Sequence, residues 1–191
     1  QACTELAARL AEHGGRVPEG GLRALADTTG SADAESPYAR HAFGAHFAEV
    51  AVDTVTGETR VRRLLGVFAA GRILNARTAR SQFIGGMTMG MGMALTEGST
   101  MDPVFGDFDG SDLASYHVPS HADVPDVEAH WLDEDDPHTN PMGSKGIGEI
   151  GIVGSAAAVG NAVHHATGVR FRELPLTPDR VLTGLRAAGG H

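Results

Sequence analysis

A chain of 191 residues with a net charge of -9, 26 glycines, 5% aromatic residues and a single cysteine is long enough for one sizeable core, or for one and a half ordinary domains. The acidic balance excludes a nucleic-acid-binding face, which needs clustered positive charge, and a lone Cys3 excludes an internal disulfide framework and suits a reducing compartment. No apolar run approaches the roughly 20 residues of a membrane span, and no charged start followed by an apolar stretch marks an export signal, so a cytoplasmic protein is expected.

The chain opens in a helix. Ala2, Leu6 and Leu10 stand at i, i+4, i+8 with no capping residue before them, as in a piece continued from a longer polypeptide. Gly14-Gly15 stops this helix, and Pro18-Glu19-Gly20-Gly21 turns the chain. Leu22 to Asp27 predicts a short helix, and Thr28 to Pro37, rich in Ser, Thr, Gly and Asp, a loop. His41 to Asp53 and Thr59 to Ala69 read as two strands joined at Thr56-Gly57-Glu58, the clearest hairpin in the sequence.

Asn75 to Glu97 predicts a long helix with an unusual interior. Gly85, Gly86, Gly90 and Gly92 all fall within it, each worth roughly 1 kcal/mol against an exposed helix relative to Ala. Gly86, Gly90 and Ala94 form one stripe of small residues, flanked by the ridges Met87/Met91 and Met89/Met93. Such a stripe brings the backbone close either to a neighbouring helix, with methionines filling gaps, or to a ligand. Asp102 to Asp123 is polar and broken by Gly and Pro. Val127 to Leu132 and Val169 to Leu174 read as strands, and Asp133-Glu134-Asp135-Asp136 as a solvated acidic loop without the glycine of a calcium loop. Gly154 to Thr167 predicts an Ala-rich helix closed by Gly168, and Thr177-Pro178-Asp179 starts a last one, ending near Ala187. Helices and hairpins are mixed rather than strictly alternating, which predicts an α+β fold.

Gly146-Ile147-Gly148-Glu149-Ile150-Gly151 fits the dinucleotide fingerprint, with Glu173 downstream for a ribose. That fingerprint must follow a buried strand, whereas Asp136 to Pro141 is loop, so the nicotinamide reading fails. What remains is a glycine-rich loop before a helix. Gly146 and Gly148 allow close backbone approach to a partner, loop amides favour an anion, and Lys145 adds positive charge. Glu149 then has two open readings. It is an acid in the first turn of the helix, or a base whose pKa is raised by partial burial between Ile147 and Ile150. His117 and His121, with Asp123 nearby, have a metal-like spacing broken by Pro119, and His164-His165 point in different directions on a helix; ordinary polar histidines account for both pairs. No protein metal site is expected, and no nucleophile elbow is present.

The segments Gln82-Phe83-Ile84-Gly85-Gly86, Tyr116-His117-Val118-Pro119, Gly143-Ser144-Lys145-Gly146-Ile147-Gly148-Glu149, Asn161-Ala162, Ala166-Thr167-Gly168 and Leu174-Pro175-Leu176-Thr177-Pro178 together resemble the C-terminal part of the molybdenum-binding subunit of the xanthine dehydrogenase/aldehyde oxidase family. Asn140-Pro141-Met142-Gly143 and Ile150-Gly151-Ile152-Val153-Gly154 are most similar to the bacterial aldehyde oxidoreductase branch. The resemblance implies a molybdenum centre carried by a molybdopterin, in bacteria usually the cytosine dinucleotide form. It implies that Glu149 takes the proton from the hydroxide on molybdenum so that its oxygen attacks the substrate carbon. It further implies that Gln82 touches the pterin and that Ser144, Lys145, Gly146 and Gly148 line the same cofactor, whose metal takes its ligands from the pterin and small inorganic groups.

Residues 1–191 would then be a C-terminal molybdopterin-binding region. The first helix, 1–13, and the loop to 37 would continue from an upstream part, and 38–191 would form the main cofactor-contacting body. The implied activity is oxidation of aldehydes to carboxylic acids with water as oxygen donor, with a purine or other N-heterocycle hydroxylase, or a non-catalytic assembly fragment, as alternatives. The implied partners are the remainder of the molybdenum subunit, an iron-sulfur subunit, an FAD subunit and a small-molecule substrate; export with a partner would place the enzyme in the periplasm. The family's earlier cofactor loops are absent from these residues, so the chain would hold one side of the cofactor only.

Overall fold

The computed structural model describes residues 1–27 and 37–189. The chain divides into two compact units, Gln1–Ala39 and the stretch from Arg40 to the C-terminus. In the first, helix α1 (Ala2–Glu12) starts at Gln1 without a side-chain cap, carries a Glu5–Arg9 ion pair one turn apart, and buries no residue. Its end is closed by Gly15 N–H donating to the Leu10 carbonyl at 2.9 Å, with Gly14 and Gly15 both left-handed. The helix expected over Leu22–Asp27 does not form. That segment is irregular, held in part by the Arg9 guanidinium donating to the Arg23 carbonyl at 2.7 Å. Most of the loop expected from Thr28 lies outside the described residues.

The second unit is built on the hairpin of β1 (Phe43–Val52) and β2 (Thr59–Ala69), antiparallel with an irregularity between Glu49 and Val50. The Asp53 carboxylate accepts the N–H groups of Val55 and Thr56 at the turn, and Gly57 completes it in a left-handed conformation. β3 (Asp126–Trp131) adds to β2 in parallel, giving a sheet ordered β1-β2-β3. Parallel pairing requires a long crossover, and α2 (Ala76–Leu95) lies within it, capped by Asn75 accepting from Arg77 and Thr78 N–H. α3 (Ser155–Thr167) ends at left-handed Gly168, and α4 (Pro178–Ala187) begins after Thr177.

α2 and α3 pack on the sheet and on each other. Phe68, Leu64, Phe83, Met87, Val159 and Val163 are fully buried between them, with the Phe68 and Phe83 rings stacked at 4.3 Å. The small-residue stripe of α2 serves close helix packing. A Cβ at Gly86 would lie 3.0 Å from the Gly151 backbone, and one at Gly90 2.5 Å from Ser155 Cβ. Met87 and Met91 fill the interior, whereas Met89 and Met93 are exposed.

The strand expected over Val169–Leu174 is absent. Val169 and Phe171 turn inward against the core, and the Phe171 ring packs on Gly184 of α4. The alternation reports one buried face, but the cover is a helix rather than a strand, so no backbone ladder forms.

Candidate functional site

The candidate residues gather where β2 ends. Past Ala69 the chain bends at left-handed Gly71, and the segment after β3 returns to it: Lys145 N–H donates to the Ala70 carbonyl at 3.2 Å and Arg72 N–H to the Gly143 carbonyl at 2.8 Å. Gly71 and Gly143 are both left-handed, and a Cβ on Gly71 would sit 2.4 Å from the Gly143 oxygen. Here glycine is required twice over, for conformation and for proximity. Asn140 shapes the turn from within, its amide donating to the Ser144 carbonyl at 2.7 Å and its carbonyl oxygen accepting Met142 N–H at 3.0 Å.

The acidic run is a clasp rather than a solvated loop. Glu134 accepts Gly71 N–H at 2.9 Å through one oxygen and Lys145 Nζ at 2.6 Å through the other, and Asp136 lies 3.3 Å from the same Nζ. The Lys145 hydrogen bond, followed by the Gly71 amide, holds Glu134 below the usual carboxylate range. The Thr139 hydroxyl, with the His138 amide and Lys145, brings Asp136 down to about 2. The Glu134 hydrogen bond raises Lys145 above its ordinary value. The lysine charge is therefore engaged inside the protein by Glu134 and Asp136.

Beyond Lys145 the loop carries its glycines into the open. A Cβ on Gly146 or Gly148 would meet nothing within 4 Å. Ile147 and Ile150 pack against the core and anchor the loop, and Gln82 on α2 donates its amide to the Gly148 carbonyl at 2.7 Å. Gln82, Ser144, Lys145 and Gly148 line one groove of about 450 Å3, together with Arg72 and Ile147. Gly146 and Glu149 share the loop but do not line that groove, and both are exposed. A second cavity of about 480 Å3, lined in part by Met91, Leu95, Pro119 and Leu176, contains none of the predicted residues.

The structure removes one reading of Glu149 and revises the other. Glu149 lies six residues before α3, in a turn where its carbonyl accepts the N–H groups of Ile152 at 3.0 Å and Val153 at 3.3 Å, so it is not a first-turn acid of that helix. Its side chain is exposed, not partly buried between the isoleucines. Among the described residues no group of three or more His, Cys, Asp or Glu side chains could hold a metal ion.

Four residues with a role in this architecture escape sequence reasoning: Glu134, Asn140, His46 and Ser155. The last two meet behind the Glu149 turn, where His46 Nδ1 is 3.1 Å from the Oγ of fully buried Ser155. Burial pushes the His46 pKa down, opposed by a hydrogen bond to the Ile150 carbonyl. The signal for His46 was present in β1, where Gly44, His46, Ala48 and Val50 share the inward face of the alternation.

Over residues 2–125 the sequence matches the family described as the molybdopterin cofactor-binding domain. The aldehyde oxidoreductase molybdenum-binding subunit PaoC of Escherichia coli K12 is 53% identical over 148 residues, covering 78% of this chain and 20% of that protein. The xanthine dehydrogenase molybdenum-binding subunit of Escherichia coli O157:H7 is 38% identical over 148 residues, with the same 78% and 20% coverage. Among solved structures, the aldehyde oxidoreductase from Desulfovibrio gigas aligns with a TM-score of 0.69 at 27% identity, covering 89% of this chain and 21% of that one.

The chain belongs to the molybdopterin cofactor-binding domain family, as found in the molybdenum-binding subunits of the xanthine dehydrogenase/aldehyde oxidase group. It spans about a fifth of the length of the curated relatives it matches. The site fits such a cofactor: a Cβ on Gly146 or Gly148 would meet only open space, so the backbone there can be approached closely, and Gly148 lines a groove together with the polar residues Gln82 and Ser144. The fit is one-sided, because nothing among these residues covers the loop from beyond.

Proposed function

We propose that this chain is part of a molybdenum hydroxylase that oxidises aldehydes to carboxylic acids with water as oxygen donor. Gln82, Ser144, Gly146, Gly148 and the backbone and stem of Lys145 would hold the molybdopterin. The cofactor, when bound, supplies the two-electron oxidation. Glu149 is the general base, its carboxylate accepting the proton from the water-derived oxygen that is transferred to the substrate. The observation that carries this reading is the placement of Glu149: exposed, on a loop anchored by Ile147, Ile150 and Gln82, one residue beyond the groove that gathers four predicted cofactor contacts.

The aldehyde reading is favoured over a purine or N-heterocycle by the higher identity to the aldehyde oxidoreductase subunit, 53% against 38%. The names of these relatives, as subunits, support a complex in which the remainder of the molybdenum subunit completes the site. Iron-sulfur and FAD subunits would carry electrons away. The cytosine dinucleotide form of the cofactor and a cytoplasmic location belong to the same proposal.

The test is Glu149→Gln in the complete enzyme. The amide keeps the shape and abolishes the basicity, so molybdenum content stays near normal while kcat falls by at least about a hundred-fold. Wild-type turnover in that variant would remove Glu149 from the mechanism.

A further inference from the structure

The turn that carries Glu149 is supported from behind by a short chain of contacts running into the sheet. The hydroxyl of Ser155, the first residue of α3, donates to the Gly151 carbonyl at 2.9 Å, two residues beyond Glu149. With its one proton committed there, the Ser155 oxygen accepts from His46 Nδ1 at 3.1 Å. The His46 ring is fixed on two further sides. Phe68 stands edge-on at 5.3 Å, and Gly154 lies so close that a Cβ there would be 2.3 Å from His46 Cδ2. Ser155 is fully buried and β1 is a paired strand, so the chain of contacts ties Gly151 to the most regular part of the fold.

We infer that His46, acting through Ser155 and the Gly151 carbonyl, is a positioning residue that sets the direction of the Glu149 turn. This rests on the proposed role of Glu149. The physical reason is that Glu149 is exposed, with no side-chain hydrogen bond or ion pair of its own to hold it among the described residues. Its aim must come from the backbone of the turn, and that backbone is held at Gly151 and by the Ile152 and Val153 amides on the Glu149 carbonyl. A small shift in such a turn is felt directly at the reacting atoms. The partly buried imidazole has its Nδ1 engaged by Ser155, as a group serving internal geometry does.

The experiment uses the complete molybdenum subunit in its holoenzyme, with His46→Leu, His46→Asn and Ser155→Ala. Asn places an amide nitrogen near the position of Nδ1, whereas Leu removes the hydrogen bond and keeps bulk. The expected result for His46→Leu is a kcat about ten-fold lower, KM and molybdenum content unchanged, and faster amide hydrogen exchange in the peptide spanning 149–155. His46→Asn restores both kcat and protection, and Ser155→Ala, which loses only the hydroxyl, loosens the same peptide. Wild-type exchange and kcat in His46→Leu, or equal losses of molybdenum in the Leu and Asn variants, would overturn the inference. The parallel Glu149→Gln measurement separates the two claims. An active Glu149→Gln enzyme defeats the base assignment alone, while the exchange data still judge His46.

Discussion

Lys145 is the site residue whose surroundings most change its meaning. Its ammonium is held between Glu134 and Asp136, and only 8% of the side chain remains exposed. From sequence it is a cation beside an anion-binding loop; in the folded chain it locks that loop to the segment after β3. The titration of the clasp follows. The folded pKa values of Glu134 and Asp136 are depressed, so their contribution to stability is complete above the unfolded carboxylate range of about 4. It is lost as pH falls toward the Asp136 value of about 2. The raised Lys145 value works in the other direction, its contribution holding below the unfolded lysine pKa of about 10.4 and fading only as pH rises past it. Urea midpoints measured between about pH 5 and pH 2 should therefore fall more steeply for the wild type than for Lys145→Met. Parallel curves would mean the clasp contributes nothing to stability.

The long glycine-bearing helix α2 sorts its glycines by what each one faces. Gly90 and Gly86 lie against Ser155 and Gly151, while a Cβ on Gly85 would meet nothing within 4 Å. Gly85→Ala in this chain should raise stability by about 0.5–1 kcal/mol, through helix propensity and a less flexible unfolded chain. Gly90→Ala should lower it by about 1–3 kcal/mol, because its Cβ would have to displace the start of α3. Denaturant unfolding of the two variants decides it, and an equal response would show that the helices do not pack as described. The same contact explains why α2 could be located from its sequence while its partner could not. Periodicity marks an apolar stripe, and the stripe itself is indifferent to whether a helix or a ligand fills the space opposite. The Val169–Leu174 segment failed for a related reason: its alternation was genuine, but no strand among the described residues pairs with it.

On the proposed reading, the chain as a whole offers one wall of a cofactor site. Gly146, Gly148 and Glu149 face outward, and the groove behind them holds Gln82 and Ser144. Molybdopterin bound to this wall alone would stay exposed to water on its far side, without the burial that gives ligand sites their affinity. The isolated 191-residue chain, once purified, should therefore contain far less than one molybdenum per molecule. Elemental analysis checks this, and stoichiometric metal would show that one wall is enough. No helix among the described residues is long and apolar enough to cross a membrane.

Local chemistry determined a good part of this protein before folding was considered. The β1–β2 hairpin, the left-handed cap at Gly168, the Thr177-Pro178 helix start and the extent of α2 each follow from residues close together in the chain, because turns, caps and periodicity are local properties. The glycine loop ending in Glu149 was equally visible, and its motif wording led to the family. Tertiary structure alone decided what these pieces touch. It set the parallel pairing of β3 with β2, the turning of Lys145 toward Glu134 and Asp136, the exposure of Glu149, and the meeting of His46 with Ser155 across 109 positions of sequence. Such contacts join residues whose separation carries no local signal, and a charge or a hydrogen-bonding group has its role set by whichever partner the fold brings to it.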